Sequence, residues 1–509
     1  MKPSIVAGAL TLALAAGVAC AEPVERAKVE AALPQLEAMA AKLVADGAVP
    51  GIAIVVVHAD EAVYLGGFGL REIGEPETID ADTVFQLASM SKPISATVVA
   101  KLVSDGVLGW DSRVADLNPT FQLHDSFPTA EVTVTDLLNH RSGLPGTSGD
   151  DLEAIGFDRE TIAARLRLVP PSSSFRAVYA YSNAGFTQGA LAAAMPTGQS
   201  WEEVAEERLY RPLGMAATSS RHSDFLARPN RATLHVPSQG GWAALATREP
   251  DAQAPAGGVS ASVRDLAQWL RLELGTGDWE GAPFIDAAAL AATHEPLFSR
   301  GTNPVSGAAS FYGRGWNAEF GRHGRSWGHA GAFSTGARTL VTLYPDAGLG
   351  IVVLTNAFPT GVPEGIADSF FDLVFDGSVS KDWVADWDRM YSSLFGPAIA
   401  AAVATYAGPP QPPTAALPAA SYVGSYVNDY VGEATVTADG ETLTVRLGPD
   451  GVTAWPLIHF DRDLFLYHDS PEMPDMPSAA RFAVGPDGRA TALTLESLDS
   501  NGLGTLTRR

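Results

Sequence analysis

The sequence predicts an α+β protein: a central antiparallel sheet flanked by helices, with a mostly helical subdomain inserted, followed by a small antiparallel β-barrel. Three observations carry this expectation. Apolar, β-rich runs at 51–58 and 63–69, and again at 339–344 and 349–354, bracket a helix-rich stretch between about 92 and 262. The two later runs are joined by Pro345-Asp346-Ala347-Gly348, the turn of an antiparallel meander. After Gly377 the character changes: Gly408-Pro409-Pro410-Gln411-Pro412-Pro413 is a stiff linker, and from about Ser421 short strands alternate with turns. At 509 residues and 46% hydrophobic composition, the chain can fill a large core in two or three domains.

From the N-terminus, Lys2, an apolar run over 5–19 and Ala19-Cys20-Ala21 read as a secretory signal peptide, 1–21, cleaved after Ala21. This predicts a periplasmic or secreted protein. Cys20 is the only cysteine, and lipoprotein processing there is the rival reading; Gly17 stands where that signal prefers a large aliphatic residue. No later stretch reaches the length of a spanning helix; the nearest, 395–407, reads as a docking helix, so no integral membrane association is expected. Helices at 26–45 and near 366–375 are predicted to cover the sheet, in which 51–58 and 63–69 pair with the meander.

Ser89-Met90-Ser91-Lys92 follows a short strand or entry loop at 83–87 and opens a helix, 94–103, with apolar Ile94, Val98 and Leu102 four apart. Residues three apart share a helix face, so Lys92 can lie over Ser89 and take its proton. Pro93 disfavours helical geometry at Lys92, although proline is tolerated in a first turn. The pattern alone does not decide, because Ser378-Val379-Ser380-Lys381 matches it too. A lysine base, with a reference pKa of about 10.4, also needs a closed, partly apolar site to lose its proton near neutrality.

A tyrosine touching both groups would relay the proton, and Tyr181-Ser182-Asn183 offers one, with an asparagine for a substrate carbonyl. Tyr426-Val427-Asn428 is its decoy. The third piece is Gly328-His329-Ala330-Gly331-Ala332, on a strand from Ser326 toward Phe333. Gly331 leaves room for substrate against the strand, and the Ala332 N–H could complete an oxyanion hole with that of Ser89.

In this order and at these separations, Ser89-x-x-Lys92, Tyr181-x-Asn183 and His329-x-Gly331 resemble the penicillin-recognising serine hydrolases of the class C β-lactamase type. Leu137-Leu138-Asn139-His140-Arg141-Ser142-Gly143-Leu144-Pro145, Arg211-Pro212-Leu213-Gly214-Met215 and Pro255-Ala256-Gly257-Gly258-Val259 add to the likeness, which spans roughly 30–376. The resemblance implies a β-lactamase/transpeptidase-like fold, with Ser89 as nucleophile, Lys92 as base and Tyr181 as relay. It makes Asn183 a substrate contact, and Ser89 and Ala332 the oxyanion donors. The supporting stretches read as structural, with Ser262-x-x-Asp265 a helix cap; Gly257 and Gly258 lining the site is the alternative. One departure stands out. His329 takes the place of the lysine in the Lys-Thr-Gly of β-lactamases and many DD-peptidases, where a cation meets the substrate carboxylate. A mostly neutral histidine implies esters, D-amino-acid amides or peptidoglycan-like peptides as substrates, with weak or absent β-lactamase activity.

The expected division is 1–21 signal peptide, 22–376 catalytic domain, 377–416 helical connector and Pro-rich linker, and 417–509 antiparallel β-domain. In the last, the clearest strands are 431–438, 443–447, 464–467, 481–484 and 490–496, punctuated by Asp439-Gly440, Asp450-Gly451 and Asp487-Gly488. Stabilising the fold is its default role. A net charge of −24 argues against nucleic-acid or anionic-membrane partners. No cofactor or metal is expected, since no His-Glu-x-x-His or phosphate loop occurs; a homo-oligomer is left open. Two rivals stand beside the hydrolase: a β-lactamase proper, and a penicillin-binding sensor acylated without turnover. An α/β-hydrolase lacks its Gly-x-Ser-x-Gly; Ala332-Phe333-Ser334-Thr335-Gly336 comes nearest.

Overall fold

The computed structural model describes residues 23–245, 247–470 and 476–509. The predicted signal peptide, including Cys20 and the cleavage site, lies outside the described residues. Helix α1, Arg26–Ala45, has the predicted bounds, and β1, Gly51–His58, and β2, Glu61–Gly69, follow it. Helix α2, Ser91–Ser104, begins before Pro93, so the missing proline N–H falls among the first-turn donors that have no helical acceptor. The insertion carries the short α3, Asp150–Ala154, then α4, Arg159–Leu166, α5, Asn183–Ala194, and α6, Val263–Leu274. Ser262 caps α6 as predicted, its Oγ accepting from the Asp265 N–H at 3.2 Å.

The chain then returns to the sheet through β3, Phe298–Thr302, β4, Ala309–Tyr312, β5, Asn317–Gly321, β6, Gly324–Phe333, β7, Ala337–Tyr344, and β8, Leu349–Thr355. The eight strands pair antiparallel in the order β2-β1-β8-β7-β6-β5-β4-β3. One face packs on α1 and α7, Val362–Asp376, through Ile52, Ile54, Ile351, Val353, Ile366 and Phe370. The other, with Ala53, Val55, Val341 and Val352, packs on the helical subdomain. Strand alternation therefore feeds two cores from one sheet. Pairing of β5 with β6 ends at Asn317 opposite Gly328, beyond which His329 to Phe333 pair only with β7.

Helix α8, Trp383–Thr405, starts earlier than the predicted docking helix because the Asp382 carboxylate accepts from the Ala385 N–H. After the linker come β9, Gly424–Asn428, β10, Gly432–Asp439, β11, Thr442–Leu447, β12, Thr453–Asp461, β13, Leu464–Tyr467, β14, Ser478–Val484, β15, Ala490–Leu495, and β16, Thr505–Arg508. They close into an antiparallel barrel, filled by Tyr422, Tyr426, Trp455, Phe465, Tyr467 and Phe482. Its apolar interior and that of the helical subdomain belong to one continuous cluster. Among the described residues, no helix is long and apolar enough to cross a membrane.

Candidate active site

Ser89 sits in a single 3-10 turn, Ala88–Met90, at the head of α2. Ala88 before it has φ +49°, a left-handed conformation costing about 1–2 kcal/mol in a residue with a side chain. Surrounding bonds hold that turn: the Leu87 N–H donates to Val259 O at 2.9 Å, and Thr339 Oγ1 donates to Leu87 O at 2.7 Å. Gly331 of β6 presses against the same turn, and a Cβ there would stand 2.1 Å from Leu87 O and 2.9 Å from Met90 N. The glycine thus makes room for the nucleophile's own backbone, a neighbour that the sequence reading did not name.

Lys92 is fully buried, yet among the described residues it has no carboxylate within ion-pair distance. Its Nζ is 3.1 Å from Ser89 Oγ, 2.6 Å from Asn183 Oδ1 and 2.9 Å from Ala256 O. Burial pushes its pKa down to about 7, against the pull of Asp150 and Glu153, which lie beyond contact. At about 7, roughly half the lysine is free base at neutral pH, against about one molecule in 2,500 at the reference value. Asn183 and Ala256 offer only acceptors to two of the Nζ hydrogens, so the lone pair of a neutral lysine points at the serine.

Tyr181 closes the group: its ring centroid is 4.6 Å from Lys92 Nζ, and its hydroxyl faces Ser89. Burial raises the phenol's pKa, so it keeps its proton where Lys92 sheds one. Asn183 begins α5, placed there by Ser182, whose hydroxyl caps the helix at the Gly185 N–H. The Asn183 Nδ2 in turn donates to Asp150 Oδ2 at 3.1 Å. Behind it, burial raises Asp150 and lifts Glu153 to about 7, and Arg248 pairs with Glu153 at 2.5 Å.

His329 lies beside these residues, 6.3 Å from Tyr181 between ring centroids, but its nitrogens are committed elsewhere. The Ser182 N–H donates to His140 Nδ1 at 3.1 Å, so the neutral His140 carries its proton on Nε2, 3.3 Å from Tyr312 Oη. Tyr312 then donates to His329 Nε2 at 3.0 Å, and His329 Nδ1 donates to Ala330 O at 2.7 Å. Every ring has one donor and one acceptor in use. Burial lowers both histidines, His329 to about 3, with Lys92 adding to the effect. The ring that the sequence puts in place of a cationic lysine, and expects to be mostly neutral, is neutral and internally satisfied. Ala332 lies on β6 beyond Gly331, part-exposed on the stretch that β5 leaves unpaired.

Several contributors escaped the sequence. His140 and Tyr312 complete the hydrogen-bonded wire, Ala256 O from the Pro255–Val259 stretch binds the lysine, and Asp150 anchors Asn183. An exposed cation beside these rings is Arg300 of β3, 5.4 Å from the Tyr179 ring and near enough to act on Tyr181, His140 and His329. Its only signal was a lone basic residue in a polar run. Both decoys are structural: Tyr426 Oη donates to Tyr422 O inside the barrel, and Ser380 Oγ to Asp372 Oδ2. A cavity of about 460 Å3 between β6, β7 and α8, walled by Thr342, Asp368 and Trp387, has His329 and Arg300 in its lining but not Ser89. His323, Asp372 and Asp376 could approach a metal together, but Arg322 already pairs with both aspartates.

The beta-lactamase family model matches residues 36–370, and a domain family of unknown function matches 408–504. Penicillin-binding protein 4 of Amycolatopsis lactamdurans is 29% identical over 321 residues, 60% of this chain and 81% of that protein. The unguisins hydrolase of Aspergillus campestris is 26% identical over 325 residues, 60% of this chain; the chain spans only 58% of that enzyme's length. The octameric penicillin-binding protein homologue from Pyrococcus abyssi shares the fold with a TM-score of 0.59 and 19% identity, over 91% of this chain and 98% of that one.

Proposed function

From the premise that the chain belongs to the beta-lactamase family of serine hydrolases, we propose that it is an exported hydrolase forming an acyl-enzyme on Ser89. Its substrates are esters, D-amino-acid amides or peptidoglycan-like peptides. The observation that carries the reading is Lys92 Nζ, buried without a counter-ion among the described residues, 3.1 Å from Ser89 Oγ, with its other acceptors fixed. The neutral amine takes the Ser89 proton as Oγ bonds to the substrate carbonyl carbon. The carbonyl oxygen becomes an oxyanion against the N–H groups of Ser89 and Ala332. Collapse expels the alcohol or amine, which takes a proton through Tyr181, whose raised pKa keeps it a donor. Water then reverses the sequence to free the acid and Ser89.

The neutral His329 supports weak β-lactam turnover, because no lysine or protonated histidine stands at that place on β6. A penicillin-binding relative supports the sensor as the second reading. The test sets the protein and Ser89→Ala against p-nitrophenyl esters, D-alanine p-nitroanilide and nitrocefin. Ester or D-amide turnover that vanishes in the variant, with nitrocefin nearly untouched, is the expected result. Fast nitrocefin hydrolysis would make it a β-lactamase, a single stoichiometric burst would make it a sensor, and turnover unchanged in the variant would remove Ser89 from the mechanism.

A further inference from the structure

The reaction just described needs nothing from the C-terminal barrel, yet two of its loops close on α3, the helix that carries Asp150. In the loop between β9 and β10, Tyr430 is 2% exposed. Its Oη donates to Asp151 Oδ1 at 2.6 Å and faces the Gly149 N–H, while its carbonyl accepts from Arg165 Nη1 at 2.7 Å. In the loop between β11 and β12, Gly448 comes so close that a Cβ would lie 2.1 Å from Ile155 O, which also accepts from Thr453 Oγ1 at 3.2 Å. The barrel thus grips both ends of α3.

Apart from the barrel, α3 is held through three side chains: Leu152 in the core, Asp150, which accepts from Gln253 Nε2 at 3.0 Å, and Glu153, paired with Arg248. It is a five-residue helix, its N-cap is Gly149 at φ +84°, and no side chain caps its first turn. A helix this short is unstable without tertiary support. Between the gripped ends lie Asp150 and Glu153, the carboxylates that act on Lys92. Asp150 accepts from Asn183 at 3.1 Å, and Asn183 accepts from Lys92 at 2.6 Å. The line from barrel to base is Tyr430, Asp151 and its neighbour Asp150, Asn183, Lys92.

We propose that the barrel is a positioning element of the acylation site, with Tyr430 fixing α3 so that Asp150 aligns Asn183 and, through it, Lys92. This rests on Lys92 being the base, as proposed above. Tyr430 is a positioning residue, since it acts only through Asp151 and the helix. Losing its hydroxyl lets Asp150 drift, which misaligns the amine and lessens the carboxylate field that opposes its deprotonation.

The experiment compares full-length protein with Tyr430→Phe, Asp151→Ala and Asp151→Asn, reading the p-nitrophenyl ester burst rate from pH 5 to 9 beside the thermal midpoint. Tyr430→Phe and Asp151→Ala are expected to slow acylation about 10–100-fold, as misalignment of about 1 Å does. Their acid limb is expected to move to lower pH, while Asp151→Asn, which keeps an oxygen for the tyrosine, stays near the parent. A lowered midpoint with the burst rate and limb unchanged would overturn the proposal, leaving the barrel as a stabiliser. Should Tyr430→Phe fail to fold, the two Asp151 variants decide, and equal rates for both would overturn it. Ser89→Ala keeps the failures apart: if it still turns over, the acyl-enzyme reading has fallen whatever Tyr430 does.

Discussion

Ser89-x-x-Lys92 and Ser378-x-x-Lys381 share one pattern and little else. Lys92 is sealed among Tyr181, Phe186, Asn183 and Ala256, with no carboxylate partner among the described residues. Lys381 lies at the head of α8, paired with Asp386 at 2.7 Å, donating to Val305 O at 2.9 Å and resting on the Trp383 ring at 3.9 Å. Ser378 is exposed, and Ser380 answers to Asp372 rather than to an amine. The spacing brings a lysine near a serine, but only burial without a counter-ion makes it a base. A paired ammonium keeps its proton; a buried, unpaired one gives it up.

The largest expected break is in rate. Ser89→Ala should lose about 10⁴-fold or more of ester turnover, as removal of an activated serine does elsewhere, while Ser378→Ala changes nothing. Equal losses in both variants would collapse the distinction.

Lys92→Met should cost about 10²–10⁴-fold, the range of a general base, and Lys381→Met should cost nothing. In the parent, kcat/KM should rise with pH through a limb near 7 as Lys92 loses its proton. The same shift has a stability sign. Between about 7 and the ordinary lysine value of 10.5 the unfolded chain holds the Lys92 proton and the folded one does not, so this lysine makes stability rise with pH across that window. Urea midpoints at pH 7 and 9 read it directly: Lys92→Met should flatten the slope, and Lys381→Met should leave it alone.

Tyr312→Phe leaves two buried histidine nitrogens, His140 Nε2 and His329 Nε2, without their partner and should cost about 1–3 kcal/mol of stability for each. An unmoved denaturation midpoint would show that water replaces the hydroxyl. Arg300→Ala is the smallest: an exposed cation should shift kcat/KM about 2–5-fold, for anionic substrates only, and less at high salt. An equal loss on neutral esters would give Arg300 a packing role instead.

Much of this was legible in the chain. Helix α1, the strand pair β1–β2 and the meander β7–β8 have strong apolar periodicity, and the ordered motifs marked Ser89, Lys92, Tyr181 and Asn183. The β3–β5 extension escaped because Arg300, Gly301 and Gly321 break the apolar alternation, leaving strands that only the sheet edge selects. In the barrel, β12 is interrupted by Pro456, and β16 has Leu506 as its one apolar residue. His140, Tyr312 and Ala256 O were invisible for another reason. Their contribution depends on which nitrogen faces which oxygen, and a backbone carbonyl has no letter in a sequence. Gly331 was noticed, but its packing against the Ser89 turn was not, since a missing side chain does not say who fills the space.

The hydrogen-bond wire through His140 and Tyr312 has a fixed polarity. It begins at the Ser182 amide, which can give a proton but never take one, so each link behind it can point only one way. The arrangement works like a diode. His329 holds one tautomer whatever occupies the groove, and reversing the wire would require removing that amide, as a proline at 182 would. A site built this way cannot hesitate between two proton arrangements as substrate arrives, and Lys92 alone among the groups touching Ser89 changes charge near neutral pH.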